Sequence, residues 1–104
     1  MPSSKEYLEY VLDQLSLVDA ISYRAMMGEY IIYCKGKIVG GIYDDRLLVK
    51  PVKSALEKLP DAPLELPYNG AKKMILIEEI DNREFMAELV TEIYNSLPDA
   101  KKRK

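Results

Sequence analysis

Several short constellations in this 104-residue chain have residue types that could do chemistry. Asp44-Asp45 offers two carboxylates for a divalent cation or an acid/base pair. Neighbouring residues on a strand point to opposite faces, so the two would converge only in a turn. Asp-Asp between strands is then read as turn chemistry, with the carboxylates capping backbone N–H groups. Glu78, Glu79 and Asp81 read the same way, as a strand end and a helix cap. Gly36-Lys37 suggests a phosphate loop, but that loop needs a glycine five residues earlier and Ser or Thr after the lysine. Ile31 and Ile38 occupy those positions. Gly36, Gly40 and Gly41 also miss the dinucleotide-binding spacing.

Other chemistry fails for want of partners. Cys34 is the single cysteine and histidine is absent. That excludes an intrachain disulfide, a thiolate zinc cluster, a Cys-x-x-Cys pair and every histidine-based nucleophile or metal site. Lys35 beside Cys34 would project to the other face of a strand, so the thiol lacks the cation that would activate it. Met26-Met27 reads as core filler or an adaptable contact. No cofactor, metal or catalytic residue is expected. Gly40-Gly41 asks for an explanation, because glycine inside a strand loses more backbone entropy than any other residue. A bulge or close approach by a neighbouring element is one reading, and a partner or ligand backbone lying on the sheet is the other.

The elements that would position these residues follow from the apolar period. Ser3 and Glu6 stand at capping-box spacing, ahead of Leu8, Val11, Leu12, Leu15 and Val18 on one helical stripe ending near Leu17. Four strand-like runs follow, at Tyr23 to Met27, Glu29 to Cys34, Lys37 to Tyr43 and Arg46 to Lys50. The links at Lys35-Gly36 and Asp44-Asp45 are too short for anything but antiparallel hairpins. Val52 to Leu59 has the spacing of a short helix. Pro60 to Pro67 holds three prolines and is expected to be irregular, with a turn at Asn69-Gly70. Lys72 to Ile80 is expected to be an internal strand. Asp81 and Glu84 then cap a last helix striped by Met86, Leu89, Val90, Ile93 and Leu97 and stopped by Pro98. The pattern is α+β: an antiparallel meander of four or five strands, covered on one face by the N- and C-terminal helices. Residues 1–98 form a single domain in this reading, and 99–104 a basic tail.

Charge is segregated along the chain. Residues 1–20 carry one base and four acids, residues 21–60 seven bases and four acids, and residues 61–100 three bases and nine acids. Lys101, Lys102, Arg103 and Lys104 bring the net to −2. A net-negative body argues against a dedicated nucleic-acid binder, whose affinity comes largely from neutralising phosphates. One free thiol and no apolar leader fit a reducing cytoplasm, and no apolar run approaches the roughly 20 residues that span a bilayer, so no membrane partner is expected. Eight tyrosines against one phenylalanine suit half-buried positions, in a thin core ahead of an interface.

The middle of the chain resembles a known family. Arg24-Ala25-Met26-Met27-Gly28-Glu29-Tyr30, followed by Tyr33, Gly36, Gly41, Asp44-Asp45-Arg46-Leu47 and Lys50, is similar to the pattern of the TfoX/Sxy family's N-terminal domain. The resemblance extends over roughly residues 4–97. It implies an α+β fold with a curved antiparallel sheet and a regulatory rather than catalytic role in bacteria. Full-length competence regulators of that family carry a further C-terminal domain, whereas this sequence ends after the last predicted helix, so a stand-alone N-terminal-type domain is implied.

The leading expectation is a small non-catalytic interaction module working through its hairpin region. Its expected surface draws on Arg24, Tyr30, Tyr33, Gly40, Gly41, Asp45, Arg46, Lys50 and Lys53, of which alternation lets only a subset share a face. The expected partner is another protein, a second copy of the chain included. Salt-sensitive nucleic-acid association through the positive strip and Lys101, Lys102, Arg103 and Lys104 is the alternative.

Overall fold

A computed structural model of the chain describes residues 4–67, 70–78 and 80–97. Helix α1 spans Lys5–Gln14, and its N-cap is Ser4, whose hydroxyl accepts from the Tyr7 N–H at 3.1 Å. The cap therefore falls one residue later than the capping-box spacing suggests, and the helix closes three residues before Leu17. Helix α3, Arg83–Ser96, is capped by Asn82, not Asp81, through a 3.0 Å bond from the Phe85 N–H. In both cases two adjacent residues are competent caps, and the backbone turn selects the second.

Four strands follow α1 as a meander: β1 Ile21–Met26, β2 Glu29–Cys34, β3 Lys37–Ile42 and β4 Leu47–Val49. Each link turns on two residues with positive φ: Met27-Gly28, Lys35-Gly36 and Asp44-Asp45, the last flanked by Tyr43 and Arg46, which bond to each other. That backbone matches the right-handed twist of the strands it joins. The short helix α2, Lys53–Lys58, leads to β5, Leu64–Glu65, and β6, Met74–Ile77. All pairs are antiparallel, in the order β1-β2-β3-β4-β6-β5.

The sheet thus has six strands, one more than expected. The extra strand lies inside the proline-rich segment: β5 is only two residues long, and Pro63 contributes its carbonyl to the ladder, which needs no N–H. Strand β6 is internal, as its apolar character suggests, but shorter than the Lys72–Ile80 run.

The pairing register defines two faces. Across the inner face run Tyr23, Ile32, Gly40, Val49 and Ile75, and beside them Ala25, Tyr30, Ile42, Leu47 and Ile77. Leu8, Val11 and Leu15 of the α1 segment and Met86, Leu89, Val90 and Ile93 of α3 pack there, forming one core with the buried strand residues. Both terminal helices therefore cover the same face, as expected. Across the outer face run Arg24, Ile31, Gly41, Leu48 and Leu76. No helix among the described residues is long and apolar enough to cross a membrane.

Candidate functional site

The nine residues expected to form a contact surface do not lie together. Tyr30 is on the inner face, against Tyr23, with ring centroids 5.9 Å apart in an edge-to-face pair. Tyr33 projects from the outer face, because an odd step along a strand reverses direction. Lys53 opens α2 and Lys50 follows β4, both away from β1.

Gly40 and Gly41 are buried, and their packing resolves the two readings of the pair. The β2–β3 register shifts after Ile32, leaving Val39 as the extra residue of a bulge. A Cβ on Gly40 would strike the β4 backbone, at Leu48 O and, 3.0 Å away, Val49 Cα. One on Gly41 would meet the Tyr43 ring at 2.7 Å. The glycines therefore let β4 and the Tyr43 ring close onto β3 and offer no surface of their own.

Asp45 and Arg46 are likewise engaged within the fold. The Asp45 carboxylate accepts from the Ser4 N–H at 2.8 Å, fastening the start of α1 to the β3–β4 turn. Tyr7 lies close by. Burial pushes its phenol up, Asp45 and Tyr10 push the same way, and a backbone hydrogen bond with Leu47 opposes them. The Arg46 guanidinium donates to Tyr43 O at 3.1 Å and Leu66 O at 3.4 Å, and pairs with Glu65. It thereby ties the β3–β4 turn to β5. Asp44 N donates to the Glu29 carboxylate at 3.1 Å, linking two hairpin turns at one end of the sheet.

Two further lysines of the positive segment are spent on α3. Lys37 Nζ lies 4.4 Å from the Tyr94 ring centroid and donates to Leu97 O at 3.2 Å, and Lys35 Nζ lies 5.3 Å from the same ring. Cations there meet both the ring face and the negative end of the helix dipole. Cys34 is buried, and burial pushes its thiol up against the weaker pull of Lys35, so the thiolate is disfavoured. Among the described residues no group of three or more His, Cys, Asp or Glu could hold a metal. Lys101 to Lys104 lie outside the described residues.

What remains open is the β1–β2 hairpin. Five of the six β1 residues are exposed, and only Ile21 is half-buried. The Arg24 side chain makes no ion pair or hydrogen bond to any described residue, and Met27 at the turn is 97% exposed. Next to it, Met26, Ile31, Tyr43 and Pro67 line a hollow of about 500 Å³ on the outer face, with Glu29 at its rim. On the inner side a trough of about 600 Å³ lies between β1 and the end of α1, lined by Leu12, Leu15, Val18, Ile21 and Tyr23.

The edge of β1 is also chemically open. Lys35 N donates to Ala20 O at 3.0 Å, in register with the β1–β2 ladder. Ladder bonds recur every second residue, so Ser22, Arg24 and Met26 bond to β2. The N–H and C=O groups of Ile21, Tyr23 and Ala25 point the other way, where no described strand lies. Of these residues, sequence reasoning singled out Arg24 but not Ile21, Tyr23 or Ala25. The available signal was the alternation of Ile21, Tyr23 and Ala25 with Ser22 and Arg24.

A family model described as "TfoX N-terminal domain" matches residues 13–98. The chain is also similar to an uncharacterized 12.7 kDa protein in the trpE 5′ region of Spirochaeta aurantia. The two are 29% identical over 105 residues, which cover 100% of this chain and 91% of that one.

Proposed function

Because this chain belongs to the TfoX N-terminal domain family, a regulatory-type domain, we propose that it is a non-catalytic cytoplasmic regulator. It acts by contact, receiving an extended segment of a protein partner along the β1–β2 hairpin. The observation that carries this reading is the six-residue edge strand, five of its residues exposed and its outer N–H and C=O groups facing no described strand. A strand added at such an edge gains main-chain hydrogen bonds, while side chains on alternate positions give selectivity. Here those side chains would meet the Met26–Pro67 hollow on one face and the trough beside α1 on the other.

The test is capture from host extract with the full chain, in parallel with Arg24→Glu and Ala25→Pro. Arg24 is exposed, and the Ala25 N–H faces away from β2, so neither change touches the internal ladder. A protein retained by the native chain and lost with both variants is the expected result. Retention by both variants contradicts the site. Salt-sensitive binding of DNA or RNA that falls when Lys101 to Lys104 are removed contradicts the protein-contact reading and favours nucleic-acid association.

A further inference from the structure

The proposed edge has a property that selects one partner: it is complementary to itself. We infer that the extended segment it receives is β1 of a second copy, paired antiparallel about Tyr23, so that two six-stranded sheets join into one. This rests on the contact reading above and adds the identity of the partner.

The register follows from which backbone groups are open. Ile21, Tyr23 and Ala25 each present an outward N–H and C=O, and a two-fold axis at Tyr23 sets Tyr23 against its own copy and Ile21 against Ala25. All three outward pairs then close as hydrogen-bonded pairs across the interface. An axis at Arg24 would set two guanidinium groups opposite one another, which destabilises a cross-strand pair. An axis at Tyr23 sets Arg24 opposite Ser22, and no charged residue faces its like. An isologous contact requires this kind of self-match.

The faces fit as well. Tyr23 is 45% exposed, and in this register its ring meets the partner copy's ring beside the trough of Leu12, Leu15 and Val18. That buries aromatic surface the single chain leaves wet. The strand also lacks the devices that block edge pairing: it holds neither proline nor bulge, and its one charge, Arg24, falls opposite a serine. An edge of six residues is about 20 Å long, shorter than a standard interface needs, so the dimer is weak and concentration-dependent.

Sedimentation of the full chain over rising concentration, to about 1 mM, reads the equilibrium directly. Ser22 is exposed and opposes Arg24 twice in the symmetric dimer, so its charge tests the register without disturbing the core. A monomer–dimer equilibrium is expected, weakened about fivefold by Ser22→Lys and tightened about as much by Ser22→Glu. The double variant Ser22→Lys, Arg24→Glu restores association by reversing the pair. A monomer at every concentration overturns the inference, as does a dimer indifferent to charge at position 22. A chain that stays monomeric yet retains a different host protein, lost with Ala25→Pro, overturns the self-pairing alone and leaves the contact reading standing.

Discussion

At one edge of the sheet, β5 is two residues long, lies between Pro63 and Pro67, and is held by the Arg46–Glu65 pair. At the other edge, β1 runs for six residues with five exposed, and its single cation meets no described partner. The first edge is closed in the ways that prevent strand addition, and the second is not. Arg46 and Arg24 make the same point at the level of one residue type. Both belong to the positive middle of the chain, but Arg46 reaches three acceptors while Arg24 stands in solvent. The charge of a segment therefore does not say whether it is available to a partner; the hydrogen-bond partners do.

Substitutions can break or sharpen this contrast. The largest separation is expected between Leu48 and Tyr23. Leu48 is fully buried, so Leu48→Ala should cost about 3 kcal/mol by chemical denaturation. Tyr23→Ala, at the open edge, should cost under about 1 kcal/mol in the dilute monomer. Equal losses would mean that β1 is as tightly packed as the centre.

Next comes the bulge. Gly40→Ala drives a Cβ into the β4 backbone, which cannot rotate away, and about 2 kcal/mol should be lost with a lower midpoint in urea. A neutral result would show that β3 and β4 are not in close contact there. The two arginines come third. Arg46→Ala should cost about 1.5 kcal/mol, since three bonds are removed from a half-buried group, whereas Arg24→Ala should stay within about 0.5 kcal/mol.

The smallest effect is expected at high pH, and it belongs to the closed side of the molecule. The Tyr7 phenol and the Cys34 thiol are both pushed above their ordinary values of 10.0 and 9.0, in each case chiefly by burial. The native state then holds those protons when the unfolded chain has released them. Stability is fully present below about pH 9 and declines as pH rises through 9 and 10. Tyr7→Phe and Cys34→Ala should each flatten part of that decline in a denaturation series, and an unchanged slope in both would contradict the assignment.

Much of the architecture was legible because it repeats a period. The α1 and α3 stripes, the strands of the meander and the two-residue turns all follow from spacing and turn residues. Strand β5 was not legible, because a pair of residues among prolines has no period to read. The candidate site was harder. Asp45 and Arg46 look like available charges in sequence, but their partners Ser4 and Glu65 lie 41 and 19 residues away and appear only after the sheet closes. Gly40 and Gly41 signalled an approach without saying what approached. Conversely, Ile-Ser-Tyr-Arg-Ala-Met reads as an ordinary strand, and its place at the edge depends on the order of all six strands.

The account turns on which backbone groups of β1 are free, and residue-resolved amide hydrogen exchange measures that directly. In dilute solution the Ser22 and Arg24 amides should be protected by β2, while those of Ile21, Tyr23 and Ala25 exchange freely. As concentration rises, protection should spread to those three and leave the pattern elsewhere unchanged. Uniform protection along β1 in dilute solution would contradict the claim that this edge is open for contact, and three amides that stay open at every concentration would contradict the pairing of two copies along it.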